Sequence, residues 1–227
     1  MGTGLQGFAA IEERALARHG QARLDDVLAR RCRVLSSEDI AAQPNDRWLA
    51  EATRMIFQAG FNWDVVDKKW DGFEKAFHGF DVHYWAMMAE EEMGRLMADK
   101  SIIRNAMRLA AIGPNALYFR DLITEHGSVG SYFASWSPDH YFENLILMRK
   151  RTSRLGGTSG MIFLRRMGLE SIVFSEDVVR ALIAAGVVDK LPNSKRDMAA
   201  TQAAVSAWRV ESGRNLSEIS QILAMSV

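Results

Sequence analysis

The chain has 227 residues, 48% of them hydrophobic, and 28 basic side chains balance 28 acidic ones to a formal net charge of +0. That length and apolar content suffice for one large domain or two lobes around a core and exclude a disordered chain, while the balanced charge leaves attraction to any anionic partner to local clustering. One cysteine, Cys32, excludes an internal disulfide; with no signal-peptide pattern at the start and no apolar run long enough to cross a bilayer, the expectation is a soluble, cytoplasmic protein.

Residues 11–31 are rich in Ala, Leu, Glu and Arg and predict one or two helices broken at Gly20. Ser37-Glu38-Asp39-Ile40 offers a cap with acidic first-turn residues, and Pro44-Asn45-Asp46 opens a helix whose apolar stripe is Trp48, Ala52, Met55 and Ala59. Gly60 suits a left-handed helix end and Asn62 an N-cap, which makes a tight corner at Trp63. Trp63, Val66, Trp70, Phe73 and Phe77 then share one helical face, expected to be core, with a kink at most near Asp71-Gly72. A short helix before Lys100 should bury Met88, Met93, Leu96 and Met97, and another should begin at Ser101 and run to Ile112, where Gly113-Pro114 interrupts it. Residues 115–124 read as helix stopped at His126-Gly127, and Ser137-Pro138-Asp139 as a turn before a helix over 141–151. Further helices are expected over 159–167, from Glu176 to Ala185 behind a Ser175 cap, over 196–208 and over 216–223. No segment alternates with period two, so the fold class is all-α.

Arg149-Lys150-Arg151-Thr152-Ser153-Arg154-Leu155-Gly156-Gly157-Thr158-Ser159 joins a basic helix end to a glycine turn and a new helix start. Glycines admit close backbone approach, and free N–H groups at a helix N-terminus bind phosphate oxygens. Lys150, Arg154, Gly156, Gly157, Thr158 and Ser159 are therefore the candidate DNA-backbone contacts, against the plainer reading of a basic helix end followed by an ordinary loop.

Five short runs resemble the 3-methyladenine DNA glycosylase I family. Gln58-Ala59-Gly60-Phe61-Asn62-Trp63 followed by Phe77-His78-Gly79-Phe80-Asp81 matches its Gln-Ala-Gly-Leu-Ser-Trp and Phe-His-x-Phe-Asp runs; Ser101-Ile102-Ile103-Arg104 and Ile112-Gly113-Pro114-Asn115-Ala116 stand for Gly-Ile-Ile-Arg and Ile-Gly-Asn-Ala, and Gly157-Thr158-Ser159 for Gly-Thr-Thr. The resemblance covers residues 50–188 or so. It implies a helix-hairpin-helix fold of two helical lobes with a cleft between them, one lobe formed by about 1–80 with 189–227 and the other by 81–188. It also implies a monomeric base-excision enzyme that releases alkylated purines such as 3-methyladenine from double-stranded DNA by base flipping.

The same resemblance makes Trp63 the ring that stacks on the extruded base, with Gln58, Met55 and Phe61 around it; from its glycine-rich surroundings alone, Trp63 would read as core. The family's base-reading glutamate is replaced by Met55, and the cysteines and histidines that hold its zinc have no counterpart, so no metal or cofactor is expected. Candidate carboxylates for the chemistry are Glu176, with Asp177 beside it, at the helix that follows the hairpin helix, and Glu13 in the N-terminal segment. Dipole stabilisation would place acids at Glu176 and Asp177 without any catalysis, and Glu13 also reads as a solvated helix residue. The alternative function is a catalytically inactive lesion-binding protein of the same fold.

Overall fold

The computed structural model describes residues 5–227, and among them every regular element is a helix. In chain order these are α1 (Phe8–His19), α2 (Gln21–Arg31), α3 (Ser37–Ala41), α4 (Asn45–Gln58), α5 (Trp63–Lys68), α6 (Trp70–Ala76), α7 (Val82–Trp85), α8 (Glu90–Ala98), α9 (Ala106–Leu109) and α10 (Ile112–His126). They continue as α11 (Val129–Ala134), α12 (Tyr141–Arg151), α13 (Thr158–Arg166), α14 (Glu176–Ala184), α15 (Lys195–Ser212) and α16 (Leu216–Met225). No helix among the described residues is long and apolar enough to cross a membrane.

Two compact units divide the chain: the described part of Met1–Leu35 with Trp136–Leu145 and Gly168–Val227, and Ser36–Ser135 with Ile146–Met167. The lobes expected from the sequence, 1–80 with 189–227 and 81–188, differ from these units in residues 36–80, which cluster with the segments that follow them, and in residues 136–145 and 168–188, which cluster with the two ends of the chain. The first unit is built on α16, where Leu216, Ile219, Ile222, Leu223 and Met225 are buried together with the polar Ser217 and Ser220. A helix apolar on most sides belongs at the centre of its unit, and α16 packs against α1, α2, α14 and α15. The Ser217 and Ser220 hydroxyls accept the backbone N–H groups of Ser171 and Val173, each at 3.1 Å, which gives two donors of the buried, non-helical stretch before α14 side-chain partners. The N-terminus of α1 has no side-chain cap from its own residues. Glu211 of α15 supplies one, accepting from the N–H groups of Phe8 at 2.8 Å and Ala9 at 2.9 Å, and these donors hold its carboxyl below the usual range.

The second unit is organised by α4, which buries Trp48, Leu49, Ala52, Met55, Ile56 and Phe57 and packs against α5, α7, α10, α11 and α13. Trp48 stacks on Phe133 at 4.7 Å and meets Phe163 edge-on at 5.9 Å. The Phe-His-Gly-Phe-Asp run is part of this core. Phe73, Phe77 and Phe80 are fully buried, their rings stack in succession at 5.9 and 5.2 Å, and Trp85 donates its indole N–H to the Phe77 carbonyl at 2.6 Å. His78, Gly79 and Phe80 all have positive φ, which disfavours the first and last of them by about 1–2 kcal/mol each. Arg47 secures the turn, pairing with both oxygens of Glu74 at 2.8 and 3.1 Å and donating to the Gly79 carbonyl at 3.0 Å. Asp81 caps α7 through the Tyr84 N–H at 2.8 Å.

Several local expectations are corrected. Ser36, not Ser37, caps α3. Residues 101–105 are not helical: Asp99 Oδ1 captures both the N–H and the hydroxyl of Ser101 at 2.8 and 2.6 Å, and Asn105 starts the short α9. Gly113-Pro114 does not interrupt a helix but lies in the first turn of α10, where a missing N–H costs nothing. The helix after Trp63 breaks at Lys69 rather than near Asp71-Gly72. Of the methionine-rich set before Lys100 only Leu96 is buried, while Met97 stands 37% exposed.

Candidate nucleic-acid interface

The corner after α4 forms as its residues dictate. Ala59 closes the helix on the Met55 carbonyl at 3.0 Å, Gly60 takes φ +67, and the Asn62 side chain accepts from the Asp64 N–H at 2.9 Å to start α5. What it exposes departs from the expected stripe. Val66, Phe73 and Phe77 are buried core, but Trp63 is 45% and Phe61 46% exposed. Ala59, the last position of the α4 stripe, is exposed too. Trp63 is therefore not core; it is a large ring at the surface of the second unit.

Met55 and Gln58 lie beneath this corner, each nearly completely buried. The Gln58 amide is engaged at both ends, donating to Asp67 at 3.1 Å and accepting from Arg166 at 3.0 Å. Its role in this structure is to tie α4 to α5 and to the end of α13. Met55 offers neither charge nor a strong hydrogen-bonding group.

Arginines cover the exposed and half-buried rings. The Arg166 guanidinium lies 4.9 Å from the Trp63 ring centroid and pairs with Glu51 at 2.9 Å. Arg108 stands 5.0 Å over Phe61 while donating to the carbonyls of Phe57 and Ala59, the latter at 2.6 Å. Arg54 stands 4.1 Å over Trp70. Burial, and then the charge of nearby Arg154, lowers the pKa of Arg108, but the group remains cationic. Nothing in the sequence marked Arg108, which lies 47 residues along the chain from the Phe61 ring it covers.

The hairpin between α12 and α13 is held from below. Asn115 of α10 donates to the Ser153 carbonyl at 3.0 Å and accepts from the Ser153 N–H at 2.8 Å, and Leu155 is fully buried. A Cβ on Gly160 would lie 2.1 Å from the Leu155 carbonyl oxygen, so only glycine lets the first turn of α13 close on the hairpin. Gly157 is different: it is exposed, it gives α13 no side-chain cap, and a Cβ there would meet nothing within 4 Å. Arg154 adopts φ +61 and donates to the Met107 carbonyl at 3.1 Å, which links the hairpin to the Arg108 segment. Lys150 and Thr158 are exposed and Ser159 is half-buried. Arg151 turns instead to Asp121, at 3.0 Å, and to the Tyr118 ring, at 4.9 Å. The aromatic corner and the glycine hairpin thus belong to one unit and are joined through Arg108, Met107 and Arg154.

The candidate carboxylates belong to the other unit. Glu13 is exposed on α1, and Glu176 is exposed in the first turn of α14 behind the Ser175 cap. Asp177 pairs with Arg180 one turn on. Among the described residues no group of three or more His, Cys, Asp and Glu side chains could hold a metal ion, and Cys32 is buried, donating to the Ser217 carbonyl at 3.3 Å.

An all-helical chain with a basic helix, a glycine hairpin and a second helix starting at the turn has the fold of the helix-hairpin-helix DNA glycosylases. The same fold is found in the crystal structure of Methanocaldococcus jannaschii 8-oxoguanine glycosylase/lyase in complex with a 15mer DNA containing 8-oxoguanine, with a TM-score of 0.54 at 15% identity over 94% of this chain and 95% of that one. The methyladenine glycosylase family model matches residues 46–188, and the chain belongs to that family. It is also similar to DNA-3-methyladenine glycosylase 1 of Escherichia coli (strain K12), with 42% identity over 59 residues. That match takes in 26% of this chain and spans about a third, 32%, of the relative.

Proposed function

We propose that this protein is a DNA repair glycosylase that hydrolyses the N-glycosidic bond of alkylated purines in double-stranded DNA. The observation that carries the reading is the exposed Trp63 ring at a helix junction, on the same unit as a glycine hairpin in which Arg149 packs against Gly156 and Gly157 is left open. One would stack on an extruded base, worth about 1–3 kcal/mol. The other would hold the phosphates beside it through the N–H groups at the start of α13, with Lys150 and Arg154 adding charge. In the reaction the bond from C1′ to the base nitrogen breaks with its electron pair leaving on the base, a water oxygen bonds to C1′, and the proton that this water loses passes to solvent where a cationic base such as 3-methyladenine departs neutral, or to the base where an uncharged one departs as an anion. The sugar passes through an oxocarbenium-like state that a carboxylate stabilises. We assign that role to Glu176, exposed in the first turn of α14, with Asp177 and Glu13 as the alternates.

The test is incubation with duplexes carrying alkylated purines, 3-methyladenine as the reference, with chromatographic identification of the released base. Release is expected, Trp63→Ala should reduce it about ten- to a hundredfold, and Glu176→Gln should abolish it while duplex binding persists. A second reading, a lesion-binding protein without catalysis, is favoured by one observation: Met55 stands where the family has a glutamate, and Glu51 and Asp67 beneath the corner are engaged by Arg166 and Gln58. Salt-dependent binding of damaged duplex with no base released would select it.

A further inference from the structure

Met107 stands 68% exposed on the short helix α9, between the residues that hold the hairpin and those that cover the aromatic corner. One exposed apolar side chain is ordinary in itself; the way this one is mounted is not. Its carbonyl accepts from Arg154 Nε at 3.1 Å, and Arg154 takes φ +61 in making that bond, a conformation disfavoured for any residue with a Cβ. The next residue, Arg108, donates to the carbonyls of Phe57 and Ala59 and lies 5.0 Å over the Phe61 ring. The backbone at Met107 is therefore tied to the hairpin on one side and to the corner on the other, within one unit, while the thioether side chain is left in solvent.

Charge narrows what such a side chain can meet. Neither Arg108 nor Arg154 pairs with a carboxylate among the described residues, and burial, then the charge of Arg154, lowers the pKa of Arg108. The two stretches that meet here, residues 100–120 and 144–169, contain no Asp or Glu at all. Met87 of the same unit, 73% exposed, is the contrast, since Glu90, Glu91 and Glu92 follow it in the first turn of α8. An apolar side chain set between two cations without acids suits a partner with an apolar interior flanked by anions. Duplex DNA is such a partner, with its base stack between two rows of phosphates, and methionine is among the side chains that enter the stack as wedges.

We propose that Met107 inserts into the base stack of bound duplex DNA at the gap left by the extruded base, with Arg108 and Arg154 neutralising phosphates on either side of it. This rests on the reading of Trp63 as the base platform and of the hairpin as a phosphate contact, and it adds the group that keeps the base out. An unbranched thioether fills an irregular gap without needing a hydrogen bond, so the wedge acts in any sequence and opposes return of the base to the stack.

The experiment measures equilibrium binding of the full chain to two duplexes of one sequence at one salt concentration, one undamaged and one carrying a tetrahydrofuran abasic analogue. The wild-type protein should prefer the abasic duplex. Met107→Ala should cut that preference about tenfold, the loss expected for a methionine side chain no longer buried, with the melting temperature and the binding of undamaged duplex unchanged. Met107→Leu should retain the preference, and Met87→Ala should leave it untouched. Position is read separately by Met107→Cys, because the one native cysteine, Cys32, is buried: it should form a disulfide with a thiol tethered to the base opposite the abasic analogue, and Met87→Cys should not. A preference unmoved in Met107→Ala, an equal loss on both duplexes, or crosslinking no greater than that of Met87→Cys overturns the proposal and leaves the glycosylase reading standing. A wild-type protein that binds the two duplexes equally removes both.

Discussion

Two aromatic groups within twenty-five residues of each other have opposite fates. Phe73, Phe77, Phe80 and Trp85 form a stack in which every ring is buried, whereas Phe61 and Trp63 stand nearly half exposed. Trp63 keeps the helical phase of Phe73 and Phe77, so phase alone does not separate them. Position relative to neighbouring helices does: the Phe77 cluster has α4 and α7 against it, while at the corner the guanidinium groups of Arg166 and Arg108 lie over the Trp63 and Phe61 rings. A ring in the first group holds the fold together; a ring in the second is available to a ligand.

Truncating each ring should break the comparison most sharply. Phe77→Ala removes a fully buried ring and should cost about 3–5 kcal/mol in chemical denaturation. Trp63→Ala loses an exposed ring and one cation–π contact and should cost about 1 kcal/mol or less, while reducing lesion binding severely. Equal stability losses would mean that Trp63 is a structural residue.

The two hairpin glycines offer a second contrast. Gly160→Ala forces a methyl to within 2.1 Å of the Leu155 carbonyl carbon's oxygen and should destabilise the unit by about 1–3 kcal/mol, the range for overpacking. Gly157→Ala meets nothing within 4 Å, so the melting temperature should barely move, yet its methyl stands where a phosphate would approach and duplex affinity should fall. An unchanged affinity would remove Gly157 from the interface.

The smallest effect concerns the support of the buried stack. Burial pushes the Glu74 carboxyl up, but hydrogen bonds from Arg47 and Trp70, with the charges of Arg47 and Arg54, outweigh it and hold the carboxyl below the usual carboxylate range. A depressed carboxylate stabilises the fold above its unfolded pKa, and that contribution is lost as pH falls through the lower folded value. Stability should therefore drop on acidification below about pH 4.5, and Glu74→Gln should flatten that part of the profile in pH-dependent denaturation.

Much of the fold was legible because its signals are local. The bounds of α12, the stop at His126-Gly127, the Ser175 cap and the Gly60-Asn62 corner depend on residues within a turn of one another. The misreadings arose where a local rule competed with a nearer one. Asp99 bonded Ser101 into a turn that an apolar run had suggested was helix, and Pro114 fell at a helix start rather than at a helix break. The candidate site divided in the same way: Trp63 and the glycine hairpin came from motif and spacing, but Arg108 over Phe61 and the capture of Gln58 by Arg166 join residues 47 and 108 positions apart.

Sequence by itself determined the all-helical class, the order of most helices and the family resemblance, since helix periodicity, caps and short motifs are written in neighbouring residues. Tertiary structure decided which aromatic rings are core and which face outward, that Glu211 caps a helix some 200 residues away at 2.8 Å, and that Arg166, paired with Glu51, lies over the Trp63 ring. Those outcomes depend on which distant groups arrive at one place, and burial and charge are properties of that place rather than of any residue alone.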